Sequence, residues 1–180
     1  MEDTRTTSWR ELTTRAKIET IVVWAVFALY VAFLLKLLLL SRPTDAERSI
    51  NLIPFASILD YALGASRLAF GNVVGNILAF LPLGACLPLL RSSPRIAPNL
   101  LVVIGVSVAV EIVQGVFALG ASDIDDVILN STGGLVGIFC FRMLRVVARD
   151  RARTRTIMAV LAVIVSPVLA WLMFAVRLRL

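Results

Sequence analysis

Along the chain, long apolar runs alternate with short polar or charged segments. Five runs reach the ~20 residues that a helix needs to cross the hydrocarbon core of a bilayer: Ile18–Leu40, Asn72–Leu90, Asn99–Leu119, Ile124–Ala148 and Ile157–Val176. Little chain remains for a soluble domain. The pattern predicts an all-α fold, a polytopic transmembrane helical bundle. Between the first two runs, "NLIPFASILDYALGA" has a different periodicity. Leu52, Phe55, Leu59 and Leu63 recur at helical spacing, Pro54 suits a first turn, and Gly64 suits a C-terminal stop. A short amphipathic helix in the membrane interface is expected there. The first run outlasts the ~7–15-residue apolar core of a cleavable signal peptide. "LLLLSRPTDA" offers no convincing cleavage site, so this run is expected to be a signal anchor.

Composition agrees with this class: 59% of residues are hydrophobic, 17% are charged, and mean hydropathy is +0.90. A net charge of +6 would by itself suggest nucleic acid. The basic residues instead sit in juxtamembrane patches such as "FRMLRVVARDRARTR", which orient helices and meet anionic headgroups, so no nucleic-acid partner is expected. Cys86 and Cys140 lie inside predicted spans and imply no disulfide framework or metal-ligand spacing. Histidine is absent, which removes every mechanism that needs an imidazole.

The charge distribution also predicts an orientation. With the N-terminus inside, Arg5, Arg10, Arg15, Lys17, Arg91, Arg95 and six arginines from Arg142 to Arg155 fall on the inner side. Only Arg42, Arg48, Arg67, Arg177 and Arg179 fall outside. By the positive-inside rule the N-terminus is cytoplasmic and, after five spans, the C-terminus is extracytoplasmic. The expected organisation is a cytoplasmic segment (1–17), a four-span core (18–148), a basic linker (149–156) and an additional C-terminal span (157–180).

Several polar residues then fall at one depth. At ~1.5 Å per residue, Glu111 and Gln114 lie about 18 and 22 Å into the third span, in the outer half of a ~30 Å core. They are three apart and share a face. Asn76 falls in the outer half of the second span, Lys36 near the outer end of the first, and Asn130 inside the fourth, below an acidic loop. Buried ionisable groups in membranes usually face a bundle interior or an aqueous cavity and pair with each other. A Lys36–Glu111 pair is the simplest compensation, and a polar cavity open to the outer leaflet is the functional reading. The alternative is structural glue, a salt bridge with interhelical amide bonds.

In "SDIDDVILNSTGG", Ser122 can cap the fourth helix, and acidic residues in its first turn complement the helix dipole. Capping does not require three carboxylates, Asp123, Asp125 and Asp126. Asp123, Asp126 and Asn130 lie at i, i+3 and i+7, one face that continues into small residues suited to close helix approach. Such oxygens can act as general acid and base or bind Ca²⁺ or Mg²⁺, although no complete ligand set and no cofactor can be read from the chain. There is no P-loop lysine motif and no Gly-x-Ser-x-Gly elbow.

One family matches in order. "NLIPF" (Asn51–Phe55), "GNILAFLPLG" (Gly75–Gly84), "EIVQ" (Glu111–Gln114) and "DIDDVILNSTGG" (Asp123–Gly134) resemble the VanZ-like family of bacterial membrane proteins. The likeness covers roughly Tyr30 to Leu144 and includes Lys36 in the first span. The resemblance implies that the family's recurrent polar positions fall on Lys36, Asn51, Asn76, Glu111, Gln114, Asp123, Asp125, Asp126 and Asn130. Glu111 and the three aspartates are then the candidate catalytic residues, and Lys36, Asn51, Asn76, Gln114 and Asn130 the candidate substrate-binding ones. Members commonly carry a basic residue just before the acidic motif, where this chain has "LGAS" (Leu119–Ser122), so a role that needs a cation there does not carry over. The family name comes from a member associated with resistance to the glycopeptide teicoplanin. A role at the bacterial cell envelope is implied, with membrane lipids, a lipid-linked glycan or a glycopeptide as partners. The resemblance does not fix whether a reaction is catalysed.

The charge asymmetry yields a test of orientation. With the native cysteines replaced, Ser122→Cys should react with an impermeant thiol reagent on intact cells, and Arg151→Cys should react only after permeabilisation. The reverse labelling would overturn the orientation.

Overall fold

The computed structural model describes residues 11–40, 50–56, 58, 59, 63, 67–117 and 122–176. The elements are α1 (Thr14–Leu40), β1 (Ile50–Asn51), α2 (Arg67–Leu90), α3 (Ile96–Phe117), β2 (Ser122–Asp123), α4 (Ile124–Ala148) and α5 (Arg151–Ala175). All five helices are long and apolar enough to cross a membrane, and the predicted all-α bundle is the fold observed. All but α4 begin before their apolar runs, so the basic residues 151–156 form the first turns of α5. At 27 residues α1 is about 40 Å long, more than a ~30 Å hydrocarbon core requires.

The segment expected to form an interfacial helix is described in part. Leu59 N–H donates to the Phe55 carbonyl (2.8 Å) and Leu63 N–H to the Leu59 carbonyl (2.9 Å), the spacing of helical turns. Leu52, Phe55, Leu59 and Leu63 are exposed, in keeping with an apolar surface turned towards lipid. The expected stop at Gly64 lies outside the described residues, as do Leu119–Ala121 of "LGAS".

Side-chain contacts fix the helix directions. Near the start of α1, Glu19 accepts from Arg155 Nε (3.0 Å) and Thr156 Oγ1 (2.8 Å) near the start of α5. Near the end of α1, Lys36 Nζ donates to the Met173 carbonyl near the end of α5. These two helices are therefore parallel. Gln114 Nε2 donates to the Leu38 carbonyl (2.8 Å), which brings the end of α3 to the same level. Helices α2 and α4 run the other way. The end that holds the start of α4 is here the acidic end, and the opposite one, with the starts of α1 and α5, the basic end.

The most extensive packing joins α2 to α4. In lipid the hydrophobic effect supplies little drive for helix association, so van der Waals contact between closely approaching backbones matters more. Here the approach is extreme. A Cβ on Gly84 would lie 1.9 Å from the Gly134 carbonyl oxygen, one on Gly133 2.1 Å from that of Ile77, and one on Gly137 2.1 Å from that of Leu81. Around this contact Tyr30, Leu34, Phe80, Leu83 and Val103 form one buried apolar cluster, and Val23, Phe141, Met158 and Ala159 a second beneath α5.

Two local devices keep α2 in place. Pro82 lies inside the helix and removes a backbone donor, and Tyr30 of α1 donates its hydroxyl to the Ala79 carbonyl in the preceding turn. The carbonyl freed by the proline is that of Leu78, four residues earlier; Tyr30 instead holds the neighbouring Ala79 carbonyl and ties α1 to α2. The helix ends in a left-handed cap at Ser92 (φ 51°), with Ser92 N–H bonded to Leu89 and Ser93 N–H to Pro88, the Schellman pattern. Asn99, the expected start of the third span, instead lies one turn inside α3 and is fully buried. Its amide donates to the Ser93 and Arg95 carbonyls (both 2.7 Å) and closes the α2–α3 turn.

Gly137→Ala should lower the melting temperature in detergent markedly, because overpacking a close contact typically costs about 1–3 kcal/mol. Gly105 has open space around its Cβ position, and Gly105→Ala should leave stability unchanged or raise it. Equal effects of the two substitutions would refute a packing role for the α2–α4 contact.

Candidate functional site

The start of α4 organises the acidic end. Ser122 was expected to cap this helix, but Ser122 pairs with Ile50 in a short parallel ladder whose second pair is Asn51 with Asp123. The cap therefore falls one residue later. Asp123 has extended backbone (φ −130°, ψ 126°) and its Oδ1 accepts from Asp125 N–H at 2.9 Å. Its own N–H donates to Glu111 Oε2 of α3 (3.0 Å), and Asn51 Nδ2 reaches its Oδ1 at 3.3 Å. The "NLIPF" and "DIDD" motifs thus meet in space.

Asp125 is completely buried although it lies off the i, i+3, i+7 face expected to be functional. The physical reason is the segment that follows β1. Asp125 Oδ1 accepts from Phe55 N–H, and Oδ2 from Ile58 N–H at 3.3 Å, so both oxygens cap the turns of another segment. Phe55 has φ 68°, a left-handed conformation rare for a bulky residue and costing on the order of 1–2 kcal/mol. Asn51 Oδ1 accepts from Ile53 N–H (3.1 Å) and helps to set this turn.

Asp126 and Asn130 point into the bundle as predicted. Asp126 Oδ1 accepts from the side-chain amides of Asn76 and Asn72 (3.3 Å for the latter) on α2. Asn130 Nδ2 donates to Ser107 Oγ on α3 at 2.9 Å. Asn76, Glu111, Gln114, Asp126 and Asn130 are all buried. Two acceptors among them, Gln114 Oε1 and Asn130 Oδ1, are buried with no hydrogen-bond partner. Such atoms are uncommon in folded proteins, because leaving one unmade costs ~1–3 kcal/mol.

Direct bonds gather these residues into three neighbouring sets near the start of α4: Asn51, Glu111, Asp123 and Asp125; Asp126 with Asn72 and Asn76; and Asn130 with Ser107. Gln114 turns towards α1 and Lys36 towards α5. Where a Lys36–Glu111 pair was expected, the bonds described are from Lys36 to the Met173 carbonyl and from the Asp123 N–H to Glu111. Lys36 reaches α5 because α5 packs along α1, a neighbour that span assignment alone does not identify. Two participants escaped the sequence reading although their spacing carried a signal. Asn72 precedes Asn76 by four, and Ser107 precedes Glu111 by four, so each shares a helical face with a recognised residue. Among the described residues no group of three or more His, Cys, Asp or Glu side chains is arranged to hold a metal.

Fold and cluster together define a multi-pass membrane protein with a buried acidic and amide-rich region near one end of its helices. The chain belongs to the VanZ/LLP1 family, which it matches over residues 27–145. It is similar to Protein VanZ of Enterococcus faecium, 33% identical over 108 residues, which make up 60% of this chain and 62% of that protein. The chain thus spans rather less than two thirds of that relative's length. No solved structure matches it.

The geometry at Asp125 generates an asymmetric expectation. An asparagine there retains one acceptor and turns an N–H₂ towards a backbone donor, so Asp125→Asn should destabilise the protein by roughly 1–3 kcal/mol. It should also raise hydrogen exchange across residues 50–59. Unchanged exchange in that segment would rule out the capping role.

Proposed function

We propose that the acidic cluster is the ligand site of a cell-envelope protein, one that receives the headgroup of an envelope lipid or a lipid-linked glycan at the outer leaflet of the bacterial plasma membrane. The observation that carries this reading is Asn130 Oδ1, buried with no bond among the described residues one turn into α4 from Asp126, in a region that also holds four acidic side chains; Gln114 Oε1 is likewise unpartnered beside α1. Carboxylates and amide oxygens accept hydrogen bonds, so the region suits a ligand rich in donors, such as the hydroxyls of a sugar or glycerol headgroup or an ammonium group. The charge asymmetry of the loops supports the outer-leaflet placement and a cytoplasmic N-terminus. The association of the family name with teicoplanin makes a glycopeptide a further candidate ligand.

Within this reading the residues divide by what their oxygens already hold. Asp123 and Asp125 bind backbone N–H groups and position the two loops. Asp126, whose described partners are side-chain amides, and Glu111, which holds a backbone N–H through one oxygen, are the better candidates for proton transfer. Asn51, Asn76, Gln114 and Asn130 supply amides for orientation, and Lys36 stands at the edge with α5. A second reading, structural glue without a ligand, is favoured by the same bonds at Asp123 and Asp125, which tie loop to helix.

Glu111→Gln and Asp126→Asn each preserve an acceptor oxygen for the described bonds, so insertion and melting temperature should stay near those of the unmodified protein. Native mass spectrometry should find a co-purified envelope lipid or glycolipid on the unmodified chain and its loss from both variants. Absence of any such ligand, or its retention by both variants, would leave structural glue as the better account.

A further inference from the structure

The basic end carries a feature that the acidic cluster does not involve. A cavity of about 290 Å³ opens between the starts of α1 and α5 and the ends of α2 and α4. Arg145, Arg151 and Arg155 line its polar side, and Val23, Leu89 and Phe141 its apolar side. Through Arg145 and Arg151 it adjoins a groove of about 520 Å³ that adds Arg142 and Arg149. Among the described residues the acid on these walls is Asp150, which is engaged in capping α5 through Ala152 N–H (3.2 Å) and Arg153 N–H (3.4 Å). Glu19 engages only the Nε of Arg155, which leaves the two terminal amino groups of that guanidinium outside any described bond. Arg151 is exposed and makes no side-chain hydrogen bond among the described residues.

We propose that this cleft binds the phosphodiester of an anionic membrane phospholipid, held by Arg151 and Arg155 with the first acyl carbons along Val23, Leu89 and Phe141. Several guanidinium groups around one cavity give the forked donor geometry that phosphate oxygens accept. The cavity sits where the apolar stretch of α5 begins, at Ile157, so charge and hydrocarbon wall meet at the level of a lipid's own polar boundary. A free phosphate ion would leave the apolar wall in water, which favours the lipid as source. Its volume is of the order of small-ligand pockets. Arg151 and Arg155 lie outside the family match of 27–145, whereas Leu89, Phe141 and Arg145 lie inside it, so the cleft joins the matched region to the helix that follows it. It stands at the other end of the helices from the acidic cluster, and neither proposal depends on the other.

Thermal melting of the purified full chain in detergent, titrated with lipid, tests the idea. Phosphatidylglycerol should raise the melting temperature by mass action, and phosphatidylcholine should not. Arg151→Gln should weaken the apparent affinity for phosphatidylglycerol about tenfold, the effect of one charge-assisted bond. Arg155→Lys keeps a cation beside Glu19 but loses the fork, and should weaken it as well. Arg153→Gln, an exposed arginine of the same turn outside the lining, should change nothing. Melting temperatures without added lipid report whether each variant is folded. Equal stabilisation by phosphatidylcholine, an equal loss in Arg153→Gln, or full stabilisation by inorganic phosphate alone would each overturn the proposal.

Discussion

Everything at the acidic end depends on how closely α2 and α4 approach. With glycine at 84, 133 and 137 the two backbones nearly touch, and the side chains beside that contact are brought within hydrogen-bonding range. Asn76 reaches Asp126 because Ile77, its neighbour in sequence, sits against Gly133. Dispersion between close-packed backbones is individually weak but adds up along the interface, and lipid offers no comparable partner for carbonyl groups. The polar cluster thus rests on residues that carry no side chain at all, and α3 then adds Ser107 and Glu111 to it.

The bundle was legible because membrane spans are set by one coarse variable, apolar length. The start and end of α4 match to the residue, and Asn76, Glu111, Gln114 and Asn130, which spacing along the spans groups together, are all buried. The small residues after Asn130 signalled close approach, and the structure places α2 against them; Gly84 and Gly137 complete that contact but fall outside the stretch that drew notice. What the sequence withheld was pairing. Nothing in "LLKLLLL" says that Lys36 turns to α5, since any helix could flank α1 on that side. Asp125 also accepts from backbone donors some seventy positions earlier, and no side-chain pattern encodes a bare N–H. The β1–β2 ladder, two residues long on each side, is too short to leave any periodicity at all.

The molecule is also divided in charge. Acidic side chains gather where α4 begins, and arginines gather where α1 and α5 begin. Helix α5 belongs to the second group only. It packs along α1, contributes the Glu19 contacts and half of the basic cleft, and touches the acidic end through the Met173 carbonyl. A helix outside the family match thus ties both ends of α1, through Glu19 at the basic end and Lys36 at the acidic end.

The union of Asp125 with Phe55 and Ile58 has a bearing on how the protein is made. The two backbone donors leave the ribosome 70 and 67 residues ahead of the carboxylate that caps them. At a synthesis rate of ~5–20 residues per second, the segment after α1 waits on the order of 3 to 14 seconds for its partner. During that interval its strained turn at Phe55 lacks the Asp125 cap and keeps only local bonds such as Asn51 to Ile53, and its apolar side chains are available to whatever machinery escorts nascent membrane helices. The arrival of α4 is therefore the step at which this loop acquires its shape, and maturation of the acidic end is delayed until four of the five helices exist.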